Sequence, residues 1–168
     1  MLLQKEKKMK QKLDQQRNIM VNFYNDKIEY LKVEIQRINE IIREINKRHK
    51  KLVRKITRNQ EDISRYTNLI ELDKSLIENL KYNPYAQLDN QNLIKSLSLE
   101  ISEFEFKRDL AQVAVDENLK AVLDVVRKLE EAKEARISLS SKLADCKLEK
   151  KNATSKNVSD SSKSEKII

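Results

Sequence analysis

The chain has 168 residues with no Gly, no Trp, one Pro, one His and one Cys, and 37% of them are charged. Ordinary turns and caps in a domain of this length would use roughly a dozen Gly, so few turns fit and a compact layered core is excluded; a hydrophobic content of 39% equally excludes disorder throughout. The formal net charge of +8 admits nucleic acid, an anionic membrane surface or an acidic protein as partner, without choosing among them.

The opening segment MLLQKEKKMKQKL is too polar for a signal peptide, and no run of 18 apolar residues follows it, which points to a cytoplasmic protein without a membrane span. Lys5, Lys7, Lys8, Lys10 and Lys12 cover every side of a helix that lacks the bulky apolar face a membrane-surface helix needs. Only Met9, Leu13, Ile19 and Met20 are available as a seam. Residues 1 to about 23 are therefore expected to overhang, either frayed or held by a partner.

From Val21 onward, apolar residues recur in alternating steps of three and four, the a and d positions of a heptad. The a positions run Val21, Ile28, Ile35, Ile42, His49, Ile56, Ile63, Ile70 and Ile77, and the d positions Tyr24, Leu31, Ile38, Ile45, Leu52, Asn59, Tyr66, Asp73 and Leu80. The pattern predicts a first helix over about 3–82. It stops at YNPYAQLDN, residues 82–90, where Pro84 disfavours helix at Asn83 and where Asp89 or Asn90 would cap the next helix.

A second helix is expected over about 91–148, with a positions Ile94, Ile101, Arg108, Val115, Val122, Leu129, Arg136 and Leu143. Its d positions are Leu97, Phe104, Ala111, Asn118, Val125, Ala132, Leu139 and Cys146. This seam contains two Arg and an Asn and should depend on the first helix for burial. Beyond it, Ser, Lys and Asn replace the apolar repeat, so residues 151–168 are expected to form a disordered tail.

A break this short places consecutive helices antiparallel. With the turn centred near Gln87, paired residue numbers add to about 174, every a position meets a d position, and a rod of roughly 80–90 Å results. Ile77 then faces Leu97, Ile70 faces Phe104, His49 faces Val125 and Ile28 faces Cys146. The expected fold is all-α: a long two-helix antiparallel coiled-coil hairpin over residues 1–150 with a disordered C-terminal tail. In solution it would be a monomeric hairpin or part of a hetero-complex.

The chemistry-bearing residues fit structural roles first. His49 reads as a polar group that fixes register, as do Asn59 and Asn118. One His with no Cys or carboxylate at ligand spacing gives no metal site, and no glycine-rich phosphate loop exists without glycine. Asp73, Arg108 and Arg136 are long or charged groups that can leave the seam by bending outward, and as a functional reading they mark places where the rod is loosened for binding. No catalytic constellation and no cofactor site emerges, so the chain is read as non-enzymatic.

The densest charge feature is NKRHKKLVRKITR, Asn46 to Arg58. Helical spacing sets Lys47, Lys51, Arg54 and Arg58 along one outward stripe. As a plain reading this is a solvated face; as a functional one it is a docking patch for an acidic protein or for phosphates. The absence of interleaved aromatics and of a groove-binding motif argues against nucleic acid.

The architecture, the basic charge and the spacing in LIKSLSLEISEF, Leu93 to Phe104, resemble the FliJ/SctO family, the central stalk proteins of flagellar and type III secretion export gates. The likeness spans residues 1 to about 150 and contains no signature motif. It implies a hairpin whose joined termini insert into a hexameric export ATPase while its other end reaches toward the export gate. A structural coiled-coil subunit of a eukaryotic assembly, such as a tether, kinetochore or mRNA-export complex, fits the same residues. A parallel homodimer would leave the different seams of the two halves unexplained.

Overall fold

The computed structural model describes the backbone of residues 1–82 and 87–165, and the side chains of 1–82 and 89–155. Two helices account for nearly all of it: α1 spans Leu2–Lys81 and α2 spans Gln87–Glu165. They pack against each other as an antiparallel helical hairpin, and no strand occurs among the described residues. Their length follows from what the sequence omits. Without Gly, and with no Pro besides Pro84, nothing inside either segment supplies a helix stop.

The seam is where the periodicity puts it. All eighteen a and d positions of α1 from Val21 to Leu80, and all sixteen of α2 from Ile94 to Cys146, are buried or half-buried. Exposed polar side chains occupy most positions between them. This is the narrow apolar stripe by which a long charged helix acquires one buried side.

The contacts fall into two compact units. The first comprises Met1–Glu44 and Leu129–Ile168. Its core is formed by Ile28, Leu31 and Cys146, with Tyr24, Leu139 and Leu143 packed against them. The single Cys is thus a small, fully covered apolar residue. Lys150 Nζ donates to Asn25 Oδ1, and Arg136 donates to Asn39 Oδ1 at 3.4 Å. Both pairs have numbers adding to 175, against an expected register near 174.

The second unit is Ile45–Lys128, with Leu52, Ile56, Ile70, Val115 and Val125 as its buried apolar residues. Here the aromatic rings of Tyr66 and Phe104 stack with centroids 6.0 Å apart. Phe104 was expected against Ile70, which lies one turn away from Tyr66 on the same seam. Two flat rings gain from stacking beyond the area they bury, and residues four apart on one helix face the same cross-helix neighbour.

Three expectations need correcting. Asp89 and Asn90 do not cap α2 from outside, because that helix already begins at Gln87. Asp89 lies in its first turn, where a carboxylate meets the positive end of the helix dipole. Asn90 Nδ2 instead donates to the carbonyl of Leu80 at 3.3 Å, satisfying one of the last four acceptors of α1. Residues 83–86 of the expected turn, Pro84 included, lie outside the described residues.

The second correction concerns the end of α2, placed near 148 from the sequence. Its backbone is helical to Glu165, past that bound, and the side chains of 156–165 and all of 166–168 lie outside the description. The loss of apolar residues removed the repeat from the sequence without supplying a stop. Lys150 and Ala153, the next a and d positions, are both half-buried.

The third is Asp73. It does not bend out of the seam: it is 7% exposed, and its Oδ2 has no hydrogen-bond partner among the described residues. Arg108 and Arg136 are only half-buried, and each guanidinium reaches a polar partner, Asp109 and Asn39 respectively. An Arg stem is long enough to carry its charge to the rim; the single methylene of Asp is not.

Candidate protein-docking surface

The basic stripe starts from the geometry of one helix side. Over 46–58 the seam positions are His49, Leu52, Ile56 and Asn59 at its edge, with Leu52 and Ile56 buried and His49 and Asn59 half-buried. Lys47, Lys51, Arg54 and Arg58 stand at the f and c positions of the same heptads, directly away from that seam, and all four are exposed. From Lys47 to Arg58 the stripe runs about 16 Å at 1.5 Å per residue. Asn46–Arg58 contains seven Lys or Arg and no Asp or Glu.

Elsewhere, surface charges of the hairpin are commonly neutralised within their own helix. Lys32 pairs with Glu29, Arg37 with Glu34, Arg65 with Asp62, and Lys107 with Glu103. Among the described residues Lys51, Arg54 and Arg58 enter no ion pair. Their positive field is therefore not cancelled locally, and it acts on an approaching surface over a Debye length of about 8 Å at physiological salt. Arg54 and Arg58 add planar forks that match carboxylates two bonds at a time.

The perturbed ionisations are local. Hydrogen bonds from Arg127 and then Lys128 hold the Asp124 carboxyl below its ordinary value, and a hydrogen bond to Glu103 raises Lys107. Both are exposed helix-surface pairs, of the kind that contributes little to stability and does not mark a site.

The other singled-out residues stay in the seam. His49, Asn59 and Asn118 each occupy a separate half-buried seam position, and no group of three His, Cys, Asp or Glu able to hold a metal occurs among the described residues. Two grooves on the second unit are lined by α1 alone, one by Glu61, Ser64, Arg65, Asn68, Leu69 and Leu72. The other lies between Glu71 and Lys81. No helix of the described residues is long and apolar enough to cross a membrane.

One surface escaped the sequence reading altogether. Leu99, Phe106, Leu110 and Val113 are 74, 65, 54 and 53% exposed and occupy f and c positions of α2, so that helix is apolar on two sides. The signal was present as a second set of steps of seven, four and three residues, offset from the seam.

Fold and surface together define an all-α helical hairpin with charged and apolar stripes on its outside. No family model matches the chain, and no curated protein and no solved structure matches it.

Proposed function

We propose that this hairpin is a non-enzymatic binding protein, and that the stripe Lys47, Lys51, Arg54 and Arg58 docks it onto an acidic protein surface. The observation that supports this most is the outward placement of the four cations in a 13-residue stretch without a single carboxylate. Complementary charge mainly governs encounter rate and partner choice, and these side chains contribute little to the fold, since exposed charges are worth about 0–1 kcal/mol each.

Within this class, the architectural resemblance to the FliJ/SctO family favours one concrete reading. The hairpin would be the central stalk of a type III secretion or flagellar export complex in the cytoplasm, with a hexameric export ATPase and the export gate as partners. The exposed residues 2–20 of α1 favour a second reading, a structural subunit of a eukaryotic assembly in which this chain pairs with a different one.

Replacing all four stripe residues with Glu tests the proposal. The variant should keep the helicity and melting of the wild type while capture of its natural partners, identified by mass spectrometry, drops; wild-type capture should weaken as salt rises. Equal recovery of the same partners by a normally melting variant would reduce the stripe to a solvated face. Addition of the chain to an isolated export ATPase separates the two readings: a stalk changes hexamer assembly or ATP turnover, and a subunit of another assembly changes neither.

A further inference from the structure

Two exposed apolar stripes among the described residues have opposite electrostatic surroundings. Residues 1–20 are all exposed, and Leu2, Met9, Leu13 and Met20 are 79, 65, 61 and 45% accessible. At 100° per residue these four fall within one narrow stripe, to one side of the hairpin seam. The encircling lysines hide it from a reading by composition. Lys5, Lys10, Lys12 and Arg17 flank the stripe, and Glu6 lies beside it. Six Lys or Arg against two Asp or Glu give residues 1–20 a net charge of +4.

The outward stripe of α2 is the converse. Leu99, Phe106, Leu110 and Val113 are bordered by Glu103, Asp109, Asp116 and Glu117. Residues 99–117 hold six Asp or Glu and two Lys or Arg, a net charge of −4. Glu103 pairs with Lys107 at 3.0 Å, Arg108 lies 3.7 Å from Asp109, and Gln112 donates to Asp116 at 3.1 Å. Each of these contacts is exposed or part-exposed, so the carboxylates remain at the surface.

The spacing also agrees. Leu2, Met9 and Leu13 are separated by seven and then four residues, and so are Leu99, Phe106 and Leu110. Each stripe has the period of one half of a coiled-coil interface, and among the described residues each lacks the other half.

We infer that the basic N-terminal segment of one copy docks on the acidic outer face of α2, residues 99–117, of a second copy. The occupant is a second copy because equal and opposite charge, matching apolar spacing and similar length occur on the same chain. The two surfaces differ, so the contact is heterologous: each copy offers one of each, and assembly runs head to tail into a ring or an open filament. This surface is separate from the basic stripe at 47–58 and does not depend on the function proposed for it.

Sedimentation equilibrium of the full chain, from micromolar to submillimolar concentration, tests the inference. The weight-average mass should rise roughly two-fold or more with concentration, because head-to-tail contacts propagate, and should fall back to that of the monomer at high salt. Leu13→Glu and Phe106→Glu should each leave monomers of unchanged helicity. Mixed together they should form a 1:1 complex, since one variant keeps its N-terminal segment and the other its α2 face. If either variant loses helicity, charge reversal at Lys5, Lys10, Lys12 and Arg17 in one chain and at Glu103, Asp109, Asp116 and Glu117 in another supplies the same mixing test. A wild type that is monomeric throughout, association indifferent to both variants, or monomeric variants that fail to complement on mixing each overturn the inference.

Discussion

Replacing Asp73 with Leu should make the hairpin more stable. The carboxylate is 7% exposed in the seam of the second unit, and its Oδ2 has no partner among the described residues. An unsatisfied buried polar group costs about 1–3 kcal/mol, and more when charged. Covering a Leu side chain contributes about 1.5–3 kcal/mol, although part of that volume is already filled by the Asp methylene. A gain of about 3 kcal/mol is a fair expectation, and at 2–4 °C per kcal/mol for a chain of this size it raises Tm by about 6–12 °C. Ala at the same position removes the carboxylate without filling the space and should gain less. The assay is thermal unfolding followed by circular dichroism at 222 nm, with the solution mass checked alongside. A lower Tm for Asp73→Leu would refute the reasoning, because it would mean that the carboxylate makes a favourable buried contact.

Further expectations follow from the same seam and its surface. His49→Ile should raise Tm by a smaller amount, since His49 is a half-buried polar group between Ile42 and Ile56; a drop on thermal unfolding would indicate a specific contact of the imidazole. Asp124 should titrate by NMR below its ordinary value of 3.8, and the midpoint should move up when Arg127 and Lys128 are replaced by Gln. A carboxylate held low in the folded state stabilises it above the unfolded-state value and loses that effect as pH falls through the folded-state one, so any contribution fades only in acid below about 3.8.

Much of the fold was legible because the chain is monotonous in the right way. Unbroken steps of three and four from Val21 to Leu80 leave a helix only one side to bury, and Cys146 joins Ile28 in one cluster where the matched frames put it. What misled was composition used in place of geometry. Asp73 was grouped with Arg108 and Arg136 by charge, although only an Arg stem can carry its charge to the rim. Ser and Asn past Cys146 end the heptad repeat, and the end of the repeat set the expected bound of α2 too early, because a helix ends only where some residue stops it. At the surface, the exposure of Lys47, Lys51, Arg54 and Arg58 could be read from heptad position. The stripe at Leu99, Phe106, Leu110 and Val113 was missed because one seam had already explained α2. The basic stripe at 47–58 specifies the charge of its partner and nothing finer, since a stripe of one charge fits any surface of the other.

The outward position of every surface discussed depends on the chain folding back on itself. Spin labels at Lys51 and Asp124, both in the unit Ile45–Lys128, test that directly by electron–electron distance measurement in chains diluted with unlabelled protein. Their numbers add to 175, and the hairpin places them side by side, within about 25 Å once two interhelical radii and the label linkers are allowed for, whatever the dilution. A distance beyond about 40 Å, equivalent to a displacement of 25 or more residues at 1.5 Å each, or a short distance that vanishes on dilution, would contradict the account.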